Sequence, residues 1–152
     1  MDVEVRYADA GQVLATCGSL MMRIVDGGRT ELVDVDRALA LFDELAETVD
    51  HVGVLIVVHH DSPTPPLPVL RYMASSGARL YQRGVMVCVV LGLGFWAMTA
   101  QRSLMILASF AGTRVLIESN LEAAAERLAG TVPGLEPNTV LRAYEAAASR
   151  FG

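Results

Sequence analysis

Two short apolar runs decide most of what this chain can fold into. Val52–Val58 and Val85–Leu91 are nearly unbroken stretches of Val, Leu, Ile, Met and Cys. Each is too short for a stable helix and too uniformly apolar for a strand with one wet face, so both read as central strands covered on two sides. The segment between them carries a helical pattern, which makes the connection a crossover and the two strands parallel.

The rest of the chain extends this unit in both directions. Val3, Val5 and Tyr7 alternate with Glu4, Arg6 and Ala8, the period of a half-exposed strand. Val13–Val25 is a second extended stretch with Gly18 as a bulge or end point, Asp26-Gly27-Gly28 closes it, and a short return follows at Thr30–Val33. Asp34 or Asp36 then caps a helix to about Asp50, with Val35, Leu39, Phe42, Leu45, Ala46 and Val49 on one face. Pro63, Pro65, Pro66 and Pro68 form a rigid loop into a helix at about 67–82, interrupted near Ser75-Ser76-Gly77. A helix over 95–110, a strand over 113–118, a helix opened by a Ser119/Glu122 capping box and a terminal helix from Pro137 complete the order. The fold class expected is α/β: a mixed, mostly parallel sheet of four to five strands with an N-terminal β-hairpin and packed helices. It forms one domain over residues 1–152 with a C-terminal helical extension at 135–152.

Composition narrows the function classes. The chain is 53% hydrophobic and 19% charged over 152 residues, which argues against disorder and for a large core, a subunit interface or both. A net charge of −5 with Lys and Arg scattered singly leaves no electrostatic footprint for nucleic acid. Gly84–Gln101 carries no charge, but it falls short of the ~20 apolar residues of a spanning helix and is broken at Gly92-Leu93-Gly94. Strand, turn and helix are expected there, not a membrane span. Cys17 and Cys88 lie in apolar stretches and read as buried reduced thiols. Met1-Asp2-Val3-Glu4 has no basic segment followed by an apolar one, so cytoplasm is the expected compartment.

Three constellations invite a chemical reading. His59-His60-Asp61-Ser62 ends a central strand, where open α/β sheets place ligands. Neighbouring residues on a strand point to opposite faces, and no third ligand has suitable spacing, so no metal site is expected. The Gly-x-Ser-x-Gly elbow of a hydrolase is absent as well. Gly92-Leu93-Gly94-Phe95-Trp96-Ala97, with Glu118 ending the next strand, has the outline of a dinucleotide fingerprint, although Phe95 and Trp96 crowd the helix start. Arg71, Arg79 and Arg83 on one helix are read as solubilising, with anion binding the alternative. The 95–110 helix is apolar all round, so part of its surface, through Trp96, Met98, Met105 and Phe110, is expected to meet another subunit.

In its order of elements the chain resembles a STAS domain of the SpoIIAA-like branch, which shares its topology with Sec14-like lipid-binding proteins. The match runs over residues 3–130 and includes the strand ending in Asp61-Ser62 and the closing strand and helix from Thr113 to Ala124. The resemblance implies a non-catalytic, cofactor-free regulatory module that binds another protein, as anti-sigma-factor antagonists do. It makes Ser62 the phospho-acceptor candidate, with Pro63 and Thr64 standing where the family has a variable residue and glycine. His60, Asp61, Ser62 and Thr64 become the partner-binding candidates, and a homo-oligomer is expected. A carrier of a small apolar ligand or lipid, held under the 95–110 helix, is the alternative. A nucleotide-binding enzyme using Gly92, Gly94 and Glu118 is the third.

Overall fold

A computed structural model describes residues 2–111 and 115–151, with the side chains of residues 78, 79, 81, 108, 110 and 111 left aside. Six strands lie in one sheet in chain order: β1 (Glu4–Ala8), β2 (Gln12–Cys17), β3 (Leu20–Val25), β4 (Val52–Val58), β5 (Gly84–Val90) and β6 (Val115–Glu118). The first three form an antiparallel meander, and β3 to β6 are mutually parallel. The sheet is therefore mixed, with six strands where four to five were expected. The difference lies in Val13–Val25: Gly18-Ser19 is a two-residue turn, Cys17 pairs with Leu20, and the stretch folds back on itself as β2 and β3. The expected strand at Thr30–Val33 is absent because Leu32 already begins a helix.

The helices are α1 (Leu32–Ala46), α2 (Leu67–Ser76), α3 (Ala78–Arg83), α4 (Gly94–Ala111), α5 (Leu121–Thr131) and α6 (Pro137–Ala148). Parallel crossovers share one hand, and the strands are added in one direction, so the crossover helices stack on the same face of the sheet. Accordingly α1 to α4 pack on one side against Leu14, Met21, Val54, Ile56, Met86 and Cys88. The other side is covered by α5 and α6, which bring Leu128, Val140, Ala143 and Ala147 onto Val13, Ala15, Met22, Leu55, Val57 and Val87. The segment expected as a helical extension is thus part of the core.

Local chemistry adjusts several helix starts and one strand. Asp34 is not the N-cap of α1; it sits one turn in and completes a capping box with Glu31. Asn120, not Ser119, caps α5, its Oδ1 accepting from Ala123 N at 2.8 Å. In β1 the register shifts between Val5 and Tyr7, so Arg6 is an extra residue. That bulge sends Val5 to the α5–α6 side and Tyr7 to the α1 side. Among the described residues no helix is long and apolar enough to cross a membrane. The uncharged stretch is β5, a turn and α4, as its composition implied. Cys17 and Cys88 are both buried, and burial pushes the Cys88 thiol up to about 12.

Candidate functional site

The carboxyl ends of β3, β4 and β5 converge on the loop 59–66 and the first turns of α4. His59 N extends the ladder to Val25 O at 2.8 Å, after which Asp61 adopts φ 63° and turns the chain inward. Ser62 is fully buried; its Oγ accepts from Gly27 N at 2.9 Å and donates to Val25 O at 3.3 Å. The serine therefore fastens the loop to the end of β3, with its hydroxyl closed off from solvent. His60 and Asp61 are exposed and 3.3 Å apart, and Thr64 is half-buried.

The two histidines diverge, as alternation on a strand requires. His59 hydrogen-bonds Tyr144 Oη at 2.8 Å and lies 3.6 Å from Asp26, tying α6 to the sheet end. Burial, with the nearby Asp26 charge, holds the Tyr144 phenol above its ordinary range. His60 instead meets the edge of the Trp96 ring at 5.0 Å between centroids. Among the described residues no group of three or more His, Cys, Asp or Glu is placed to hold a metal.

Trp96 joins the two halves of the site. Its Nε1 donates to Ser62 O at 2.8 Å, and a Cβ on Gly92 would stand 2.5 Å from His60 Nδ1 and 2.7 Å from Trp96. Gly92 is needed because these two rings lie directly on its backbone. The first glycine of the Gly-x-Gly turn is thus covered by rings, and Glu118 is bonded to Arg127 at 2.7 Å. Trp96 is an internal tie, and the aromatic residue facing outward is its neighbour Phe95, 84% exposed. With Met105 at 62% and Met98 at 54%, it forms an exposed apolar stripe along α4, and Leu93, 87% exposed, stands just before the helix. Phe95, Met98, Arg102 and Met105 recur at three- and four-residue spacing and so share one helix face. The Phe110 side chain, expected in the same surface, lies outside the described residues, as does that of Arg79. Arg83 donates to Ala46 O at 2.9 Å, which ties it to the end of α1.

Beneath the loop and α4 lies a feature the sequence reading passed over. Arg23, in the middle of β3, is 8% exposed on the α1–α4 side. Its guanidinium donates to Gln12 Oε1 at 3.2 Å and to Thr30 Oγ1 at 3.0 Å. Gln12 Nε2 in turn donates to the buried Asp34 at 2.7 Å. Desolvation lowers the arginine's pKa, against the attraction of Asp34 and Asp9. Arg23 borders two adjoining apolar cavities, which also share Ile56 and Met73. The one under the proline loop and α4 encloses about 50 Å³ and opens onto solvent. A lone arginine in the apolar run Leu20–Val25 was the available signal.

No protein-family model matches the chain, and comparison with curated proteins and with solved structures returned no match either.

Proposed function

We propose that this chain is a non-catalytic interaction module of STAS-like type that associates with a second copy of itself through the outer face of α4. The carrying observation is the exposed stripe of Phe95, Met98 and Met105, with Leu93 exposed just before the helix. Exposed apolar side chains gathered on one helix face are the usual mark of an interface, whereas single ones are ordinary. Arg102 is the charge on the stripe and constrains the register, since two copies must pack with their guanidiniums apart. Met side chains suit such a seam because they adapt to the opposing surface.

The loop 59–64 touches the same helix through the contacts of Trp96 with His60 and Ser62, so a second protein bound at His60, Asp61 and Thr64 would sense the state of α4. On the family resemblance Ser62 is the switch of this loop. A phosphoryl group adds about −1.5 to −2 charges beside Asp61, and it displaces the two hydrogen bonds that hold the loop shut. Native mass spectrometry and light scattering test the central claim. The wild-type chain is expected to be a dimer or larger at micromolar concentration, and Met105→Glu a folded monomer. A wild-type monomer at every concentration refutes the reading.

A further inference from the structure

The cavity under the proline loop and α4 carries an inference that the interaction reading does not require. Its walls are apolar, built by Ile56, Val58, Leu70, Met73, Val90 and Leu104, and a single cation, Arg23, stands at its edge. That cation is buried, yet its hydrogen-bond partners Gln12 and Thr30 are neutral. The nearest buried carboxylate is already engaged: Asp34 Oδ1 takes Gln12 at 2.7 Å and Arg37 at 3.2 Å, and Oδ2 takes Glu31 N at 2.8 Å. Among the described residues Arg23 has no carboxylate within 4.0 Å.

The guanidinium carries five N–H donors, and the two on Nη1 have no partner among the described residues. No side-chain nitrogen or oxygen there is both sealed from solvent and unpartnered. Nη1 therefore borders open space, and Arg23 lines both of these apolar cavities. A buried cation without a direct counter-charge is costly, and an anion brought to it makes charge-assisted hydrogen bonds, roughly twice as strong as neutral ones.

We propose that this cavity binds a small amphiphile with a singly charged anionic head, a medium-chain carboxylate, with the head on Arg23 and the chain among Ile56, Leu70, Met73 and Leu104. A neutral lipid would leave the arginine unmatched. A free phosphate would leave the apolar walls uncovered, and a doubly charged phosphate head would meet only one cation here. A monoanion with a hydrocarbon tail matches both parts of the site.

The test is calorimetric titration of the full chain with decanoate and with 1-decanol, which differ in the head group. Decanoate is expected to bind one to one and at least about tenfold more tightly than decanol, the effect of one charged contact of about 1.4 kcal/mol. Arg23→Met is expected to bring the two ligands to equal affinity while the fold persists, because an apolar side chain of similar reach removes the buried charge. Ala100→Phe, which fills the cavity from α4 and keeps Arg23, is expected to abolish binding of both. The titrations are repeated on Met105→Glu, so that loss of self-association and loss of the cavity site are read separately. Wild-type protein that binds neither ligand, or binds both equally, overturns the proposal, whether or not Arg23→Met folds.

Discussion

On the face of the sheet covered by α5 and α6, Gly53 lets Leu128, Val132 and Leu135 approach so closely that an added Cβ would stand 3.1 Å from Val132. On the face covered by α1 to α4, two cavities open beside an arginine. The polar groups divide the same way. Gln12, Thr16, Arg23, Thr30, Asp34 and Ser62, the buried polar side chains among the described residues, all belong to the second face or its rim. The first face needs only area and close contact, which small residues such as Ala124, Ala125, Ala143 and Ala147 supply. The second departs from that economy in buried charge and exposed apolar surface. Departures from internal consistency of this kind collect where a protein meets something else. Both the proposed interface and the proposed ligand site lie on the α1–α4 side.

The same substitution on each face tests the contrast most strongly. Leu128 is fully buried in the close-packed side, and Leu70 is 3% exposed but lines a cavity. Leu→Ala costs about 2–5 kcal/mol, more where neighbours surround the lost methyls and cannot collapse. Leu128→Ala is expected near the upper part of that range and Leu70→Ala near the lower, a difference of at least about 1 kcal/mol by urea unfolding. Equal costs would mean that the two faces are packed alike.

How far the sequence disclosed this arrangement depends on the range of the forces involved. The central strands were legible because a run such as Val52–Val58 has one physical solution, a strand covered twice. The β2–β3 turn was not, since Gly18 inside an apolar stretch fits a bulge as well as a reversal, and pairing across the turn decides between them. Nor was the bulge at Arg6, which changes the face of Tyr7 without altering the local pattern. In α4 twelve of eighteen residues are apolar, so the amphipathic phase is too weak to tell which side faces out. Trp96 was accordingly expected at the surface that Phe95 occupies. His60, Ser62 and Trp96 were singled out separately, and only the fold brings them together. Arg23 was missed because its meaning lies in distant partners, Gln12 and Thr30.

A smaller effect is expected where the cavity face meets the loop. Ser62→Ala leaves Gly27 N without its side-chain acceptor and costs about 1–2 kcal/mol. If Ser62 holds the loop that Trp96 leans on, the emission of this single tryptophan shifts to longer wavelength in the variant. Lost stability with unchanged emission would separate the serine from the α4 contact.

The weakest expected effect concerns acid. Asp9 stands at the mouth of the same face; partial desolvation pushes its carboxyl up, but hydrogen bonds from Gly11 N, the Gln12 side chain, Tyr7 Oη and Gln12 N outweigh this and leave it below its ordinary value. A carboxyl lowered by folding adds stability that is present above its unfolded value, near 3.9, and is lost as pH falls through the lower folded value. Because Asp9 is exposed, solvent screening keeps its contribution under about 1 kcal/mol. Asp9→Ala is thus expected to be slightly less stable than wild type at neutral pH, with the difference closing as pH falls through and below the carboxylate range. Hydrogen exchange should locate the loss: residues 9–12, which hold the Gln12 partner of Arg23, lose protection in the variant at neutral pH, while residues 124–128 on the close-packed face do not. A difference that stays constant down to pH 2, or one spread equally over both faces, would show that this carboxylate does not support the polar side through its charge.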